Sequence, residues 1–578
     1  MATRETPAGT DDPGRLGPRE RETAWRRLGS ETFDLVVVGG GVVGVGAALD
    51  AATRGLRVAL VEARDLASGT SSRSSKLFHG GLRYLEQLEF GLVREALRER
   101  ELMLTRIAPH LVKPVSFLYP LTHRVWERPY TAAGLFMYDT MGGARSVPGQ
   151  KHLTRAGALR MVPALKPDAL VGGIRYYDAQ ADDARHTMMV GRTAAHYGAV
   201  VRTSTQVVAF LREADRVSGV RVRDVEDGRE TDVRAHAVIN ATGVWTDELQ
   251  RLSGSRGRFR VRASKGVHIV VPRDRIVSES GLILRTEKSV LFVIPWRNHW
   301  IVGTTDTDWN LDLAHPAATK NDIDYILDHV NSVLATPLTH DDIEGVYAGL
   351  RPLLAGESES TSKLSREHAV ARVAPGLVAI AGGKYTTYRV MGADAVDAAA
   401  VDLPGRIQPS ITDKVPLVGA DGYHALVNQA DQLAGRYGLH PYRVRHLLDR
   451  YGSLVHEVLG AAAAELLKPV PHAPDYLQVE VVYAASHEGA LHLEDVLTRR
   501  TRISIEYPHR GVDCAEVVAR LMARVHGWDD ARVAREVEIY TARVEAERAS
   551  QTEPDDQAAD AVRSAAPEAR PQITEPVS

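Results

Sequence analysis

The residues best suited to chemistry begin at Gly39-Gly40-Gly41-Val42-Val43-Gly44, a G-x-G-x-x-G run, and continue to Glu62, eighteen residues past its last glycine. In this pattern Gly39 permits a tight turn, Gly41 lets the backbone approach a pyrophosphate, and Gly44 allows a helix and a strand to touch. The free N–H groups at the start of the helix present a positive dipole end to phosphate oxygens. Glu62 would accept hydrogen bonds from the adenosine ribose hydroxyls, and its charge disfavours a 2′-phosphate, which argues against NADP.

The glycine run does not distinguish FAD from NAD, but three other segments do. After Glu62 comes a small, hydroxylated stretch ending Gly69-Thr70-Ser71-Ser72; Val238 to Gly243 is a strand ending in an Ala-Thr-Gly turn; and Ala379 to Thr387 is a strand, a glycine turn and a helix start. A cofactor touched by segments more than 300 residues apart is long and deeply enclosed, as FAD is. The contacts expected for it are Gly39, Gly41, Gly44, Glu62, Thr70, Ser71, Ser75, Ala241, Gly243, Gly383, Lys384, Thr386 and Thr387.

The elements that must position these residues follow from periodicity. FDLVVV, then VVGVGAALDAATRG, then RVALVE form a β-α-β unit. Runs at 237–241, 268–271, 291–294, 300–302 and 377–380 read as buried strands, and those between 260 and 305 lack intervening helices, which predicts a mainly antiparallel second layer. Beyond Pro404 helical periods dominate: 423–437, 442–451, 453–467, 513–525 and 530–547. Residues 1–32 and 548–578 are poor in large apolar side chains and read as disordered tails.

Bulk composition narrows the class further. The chain has 578 residues, 44% hydrophobic and 25% charged, which fits a multidomain globular protein. Lys plus Arg (71) nearly cancels Asp plus Glu (74), so charge gives no reason to expect nucleic acid. The single cysteine, Cys514, excludes an intramolecular disulfide and a thiolate metal cluster, and no metal site is expected. The first thirty residues lack a secretory apolar core, and the stretch Leu35 to Leu49 is too short and glycine-rich to span a membrane.

The most specific stretch is Ser71-Ser72-Arg73-Ser74-Ser75-Lys76-Leu77-Phe78-His79-Gly80-Gly81-Leu82-Arg83-Tyr84-Leu85. It resembles the serine-rich signature of the bacterial and mitochondrial FAD-dependent glycerol-3-phosphate dehydrogenases. The resemblance continues through Lys265 to Pro272, Gly349 to Leu353, Gly382 to Arg389 and His492 to Thr501, and covers about 33–547. It implies a Rossmann-like, D-amino-acid-oxidase-like α/β FAD-binding domain (33–110, 185–260 and 355–405) interleaved with an antiparallel substrate-binding domain (111–184 and 261–354), then a helical C-terminal domain (410–547). It also implies that basic side chains hold a substrate phosphate: Arg83, Arg351 and Arg366, with Tyr84 and Lys384 nearby. Guanidinium suits a phosphate dianion because it is always charged and binds two oxygens at once.

Oxidation of a secondary alcohol also requires a base for the hydroxyl proton, and His79 in the signature loop is the candidate. Arg351 and Lys384 complete the expected catalytic set, while Lys265 is a weaker candidate for the opposite flavin edge. The activity implied is hydride transfer from sn-glycerol 3-phosphate to FAD, yielding dihydroxyacetone phosphate, with membrane quinone (ubiquinone or menaquinone) as acceptor. An oxidase using oxygen and a non-catalytic flavin-binding protein are the alternatives. The short Arg351–Arg366 spacing favours a dehydrogenase, and the intact cation cluster favours catalysis. The expected location is the cytoplasm, peripheral on the inner face of the cell membrane; a homodimer is compatible with the sequence.

Overall fold

A computed structural model of the chain describes residues 14–81, 89–122, 147–254, 260–286, 290–355, 368–460 and 463–570. The strand Thr32–Val38 lies between Val58–Val61 and Glu230–Asn240, parallel to both, and Leu377–Gly382 and Val200–Arg202 extend the sheet outward. Parallel strands are covered on both faces, so Leu35, Val36, Val37 and Val38 are all buried rather than alternating. Leu35 and Val37 meet the helices Val42–Thr53, Asp183–His196 and Tyr388–Ala399. Val36 and Val38 face the other way, onto Trp25 and Leu28 of the helix Pro18–Ser30 and the hairpin Thr205–Glu213/Arg216–Asp224.

The second sheet is almost wholly antiparallel, built on Val261–Pro272, which pairs along its length with Gly345–Leu354 and on its other edge with His299–Gly303 and Thr307–Trp309. Val290–Trp296, Gly281–Arg285, Lys113–Leu121 and Gly172–Gln180 continue it. The register sets Ser264 opposite Arg351, Gly266 opposite Gly349 and His268 opposite Tyr347. Side chains alternate along strands, so these six residues share one face. Leu77–Phe78, inside the segment expected to belong to the FAD domain, pairs instead with Gly172–Gln180 in this second sheet. The serine-rich loop is therefore the crossing point between the layers.

The C-terminal part is a helical cap with its own apolar core around Leu447, Val458, Tyr483, Leu497 and Met522. A break at Gln429 divides the helix expected over 423–437, and Val455–Gly460 is shorter than expected. Both tail expectations are corrected where the structure describes them. Residues 18–30 are helical because Ala24, Trp25 and Leu28, though few, fall on one helical face, and Trp25 also lies under the guanidinium groups of Arg202 and Arg229. Past 547 the chain runs into a further helix, Asp556–Ser564, and returns to Arg570, which is buried by pairing rather than by hydrophobicity. Among the described residues no helix is long and apolar enough to cross a membrane.

Candidate active site

Between the sheets runs a cleft of about 1500 Å³. Single small-molecule sites are usually roughly 300–1,000 Å³, so the volume suits an extended cofactor with a small substrate beside it. At one end the Glu62 carboxylate is oriented by the backbone: Gly40 N donates to Oε2 at 2.6 Å and Arg64 N to Oε1 at 2.7 Å. Burial raises the Glu62 pKa, and these two hydrogen bonds oppose that rise. Each oxygen keeps a lone pair for a ribose hydroxyl.

Next along the cleft, Gly41 caps the helix Val42–Thr53, and Val42 N donates to Ser71 Oγ at 2.9 Å. Gly44 sits behind the cleft wall; a Cβ there would lie 1.9 Å from the Gly39 carbonyl oxygen. Only glycine lets the helix start this close to the strand, which leaves its N-terminal N–H groups open to a pyrophosphate. Thr70 Oγ1 donates to the Leu350 carbonyl at 2.6 Å, tying the serine-rich loop to the second sheet. The acid at the second strand, the glycine cradle and the cleft length together fit FAD.

At the far end Gly266, His268, Gly349 and Arg351 of that face line the same cleft. Arg351 donates through Nη2 to Thr304 Oγ1 and the Thr305 carbonyl, both at 3.2 Å, and through Nη1 to Ser264 Oγ and Asp306 Oδ1, both at 3.4 Å. His268 stacks on Tyr347 at 4.7 Å and meets Ser75 Oγ through Nε2 at 2.9 Å. Burial, reinforced by Arg351 and Lys76, holds His268 well below the usual imidazole range and hence neutral. Lys76, pulled down first by burial, is paired with Asp183 at 2.8 Å beneath the loop.

His79 is clasped at its main chain by Thr386: His79 N donates to Thr386 Oγ1 at 3.2 Å, and that hydroxyl lies 3.3 Å from the His79 carbonyl. Residues 307 apart in sequence thus meet at one point. Lys384 lines the cleft beside Gly383, just before the turn Tyr385–Thr387 that leads into Tyr388–Ala399. The aromatic rings of Tyr119, Tyr176 and Phe292 line the same end.

The structure thus brings Gly39, Gly41, Glu62, Thr70, Ser71, Ser75, His79, Ala241, Gly243, Arg351, Gly383, Lys384 and Thr386 onto one cleft. Three expectations are corrected. Gly44 is no cofactor contact but backs the cleft wall, where its missing Cβ lets helix and strand meet. Thr387 turns its hydroxyl back onto its own chain, donating to the Lys384 carbonyl at 3.4 Å in a local side-chain-to-backbone contact instead of presenting it to the cleft. Lys265 is at no flavin edge: its ammonium is buried against Asp322 at 2.6 Å and also meets Asp556. Arg83, Tyr84 and Arg366 lie outside the described residues. Sequence reasoning missed His268, Arg73 and Arg570, which also line the cleft. The alternation Ser264-Gly266-His268 was the available signal for the first; burial, with Arg563 next, pulls Arg73 down to about 10.

A family model described as FAD dependent oxidoreductase matches residues 34–389, and one described as the C-terminal domain of alpha-glycerophosphate oxidase matches residues 410–533. A Mycobacterium tuberculosis protein named glycerol-3-phosphate dehydrogenase 2 is 73% identical over 564 residues, covering 97% of this chain and 96% of its own length. The Mycobacterium leprae glycerol-3-phosphate dehydrogenase is 72% identical over 565 residues, covering 97% of each chain. A solved structure of the glycerol-3-phosphate dehydrogenase from Bacillus halodurans complexed with FAD superimposes with a TM-score of 0.76 at 29% identity, over 92% of this chain and 98% of that one. FAD is the cofactor of this cleft, and the chain belongs to the family of FAD-dependent glycerol-3-phosphate dehydrogenases.

Proposed function

We propose that this chain oxidises sn-glycerol 3-phosphate to dihydroxyacetone phosphate and passes the electrons to membrane quinone. The observation that carries the reading is Arg351, whose guanidinium lines the cleft with Nη2 on Thr304 and Thr305 and Nη1 on Ser264 and the paired carboxylate of Asp306. Guanidinium is always charged and binds two oxygens at once, so a cation on this cleft face suits a phosphate dianion. Lys384 supplies a second cation on the same cleft, and Arg83, Tyr84 and Arg366 complete the proposed phosphate and substrate contacts. The relatives' names support the substrate.

With the phosphate anchored, the C2 hydroxyl would lie toward His79, whose imidazole takes the hydroxyl proton on a ring nitrogen as the C2–H bond breaks and C2=O forms. FAD, when bound, supplies the two-electron sink that receives the C2 hydrogen with its bonding pair. The Thr386 clasp keeps the His79 main chain from drifting, and Tyr119, Tyr176 and Phe292 thin the water around the reacting carbon. The remaining N–H groups at the start of the helix after Gly383 would favour negative charge developing on a flavin held beside them.

Delivery to quinone entails work at a membrane face, which fits peripheral attachment on the cytoplasmic side. The test is anaerobic mixing of the flavin-loaded protein with sn-glycerol 3-phosphate, then reoxidation with ubiquinone or menaquinone analogues or with oxygen. Rapid bleaching of the flavin band and faster recovery with quinone are expected. A band that does not bleach refutes the substrate, and recovery with oxygen alone makes the chain an oxidase.

A further inference from the structure

Beyond the helix Asp530–Ser550 the chain runs back across the cleft, outside the stretches 34–389 and 410–533 that the family models match. This return segment, residues 553–570, is pinned to both layers. On the second layer Asp556 pairs with Lys265, Ala559 is buried in an apolar cluster with Val244 and Leu350, and Asp560 Oδ1 accepts from Asp312 N at 3.3 Å. On the first layer Glu568 lies 4.0 Å from Arg64, and it also reaches His315 at 2.6 Å and Arg543 at 3.3 Å.

The last pin is Arg570. Its Nε donates to Ser204 Oγ at 2.6 Å, and its two Nη atoms fork onto Asp495 at 2.9 and 2.7 Å. Ser204 N donates to the Arg64 carbonyl at 2.7 Å and Thr205 N to the Glu62 carbonyl at 2.8 Å. Arg570 is thereby fixed to the turn that carries the ribose-facing acid, and its own side chain lines the cleft there.

We propose that residues 553–570 form a strap that closes the adenosine end of the FAD cleft, with Arg570 and Glu568 as positioning residues that retain the cofactor. The reason is mechanical and electrostatic. A dinucleotide enclosed between two layers leaves only when the layers part or an end opens, and the strap joins the layers at that end through Glu568, which meets both Arg64 and His315, and through the buried fork of Arg570 on Ser204 and Asp495. By reciprocity, whatever the strap adds to FAD affinity, bound FAD returns as strap stability. This concerns cofactor retention and does not depend on the identity of the substrate.

The test uses the full flavin-loaded chain with Glu568→Gln and, separately, Arg570→Lys, which keeps the charge but loses the planar fork. FAD release is followed by the rise of flavin fluorescence on dilution, and amide exchange of 553–570 is compared with and without FAD. Release should quicken by about tenfold, within the usual range of coupling between sites, and the strap should exchange more slowly when FAD is bound. A merely structural strap would lower the unfolding temperature of both forms and leave release alone. Release within twofold of the native rate in Glu568→Gln, or strap exchange indifferent to FAD, overturns the proposal; should Arg570→Lys fail to fold, Glu568→Gln decides. A chain that binds no flavin at all would instead refute the cofactor assignment.

Discussion

Gly266→Ala adds one methyl group to the face that carries Arg351, and the structure sets the size of its effect. A Cβ at residue 266 would lie 2.6 Å from Arg351 Nη2, 2.6 Å from Thr304 Oγ1 and 3.0 Å from Arg351 Cζ. Carbon contacts are comfortable at about 3.5–4.0 Å, so the guanidinium must withdraw by roughly 1 Å. It is the far end of a flexible side chain, so the cost in stability stays near the low end of overpacking, about 1 kcal/mol. The same shift breaks the Nη contacts to Thr304 and Thr305 and mis-aims the fork. A 1 Å misplacement of a positioning group costs on the order of 10²-fold in rate, or about 2.7 kcal/mol. Steady-state kcat/KM for sn-glycerol 3-phosphate should therefore fall about 100-fold, with FAD content and fold retained. Because the methyl acts through Arg351, Gly266→Ala combined with Arg351→Ala should be no worse than Arg351→Ala alone. Additive losses in the double variant, or native kcat/KM in Gly266→Ala, would refute this chain of reasoning.

Three further outcomes are expected. Glu62→Ala strands the Gly40 and Arg64 N–H groups and removes the ribose acceptor, so the FAD dissociation constant should rise roughly 10–150-fold, from about 1.5–3 kcal/mol for a charged hydrogen bond; an unchanged constant in a fluorescence titration would exclude the ribose role. His79→Asn should slow anaerobic flavin bleaching by about 10²-fold or more while substrate binding shifts only a few-fold; native bleaching would remove His79 from the base position. Burial and Arg570 push His492 down, but hydrogen bonds to Glu226 (3.0 Å) and Glu536 (2.9 Å) outweigh them and hold it up at about 9, against an ordinary 6.5. A folded pKa above the unfolded one means the stabilisation is complete below pH 6.5 and is lost as pH rises through 9. At roughly 1.4 kcal/mol per unit this is about 3 kcal/mol, so denaturant unfolding at pH 6 and pH 9.5 should differ by that order for the native chain. His492→Gln should flatten the difference, and a native chain equally stable at both pH values would disprove the pairing.

Much of the first layer was legible because its signals are local. The apolar run ending at Val38, the glycine spacing and Glu62 each follow from constraints acting within a few residues: a strand covered on both faces, a turn open only to glycine, an acid at the next strand end. His79 and Arg351 were found by resemblance, since nothing in the neighbourhood of either residue distinguishes it from an ordinary loop histidine or strand arginine. Lys265 shows the converse. Its setting in a motif suggested a flavin edge, yet its partners, Asp322 and Asp556, are 57 and 291 residues away. Partner choice over such distances depends on how sheets and helices stack, which periodicity does not encode.

The amino-acid order alone determined the β-α-β cradle, its preference for FAD, and a helical cap after Pro404, because backbone propensity, glycine sterics and apolar periodicity act over a few turns of chain. Only the tertiary structure decided which face of the second sheet meets the cleft, that Thr386 clasps His79, and that the polar stretch after 547 is a pinned segment rather than a tail. Those outcomes rest on charges and hydroxyls meeting partners hundreds of residues away. Burial makes such pairings favourable only once the layers have assembled.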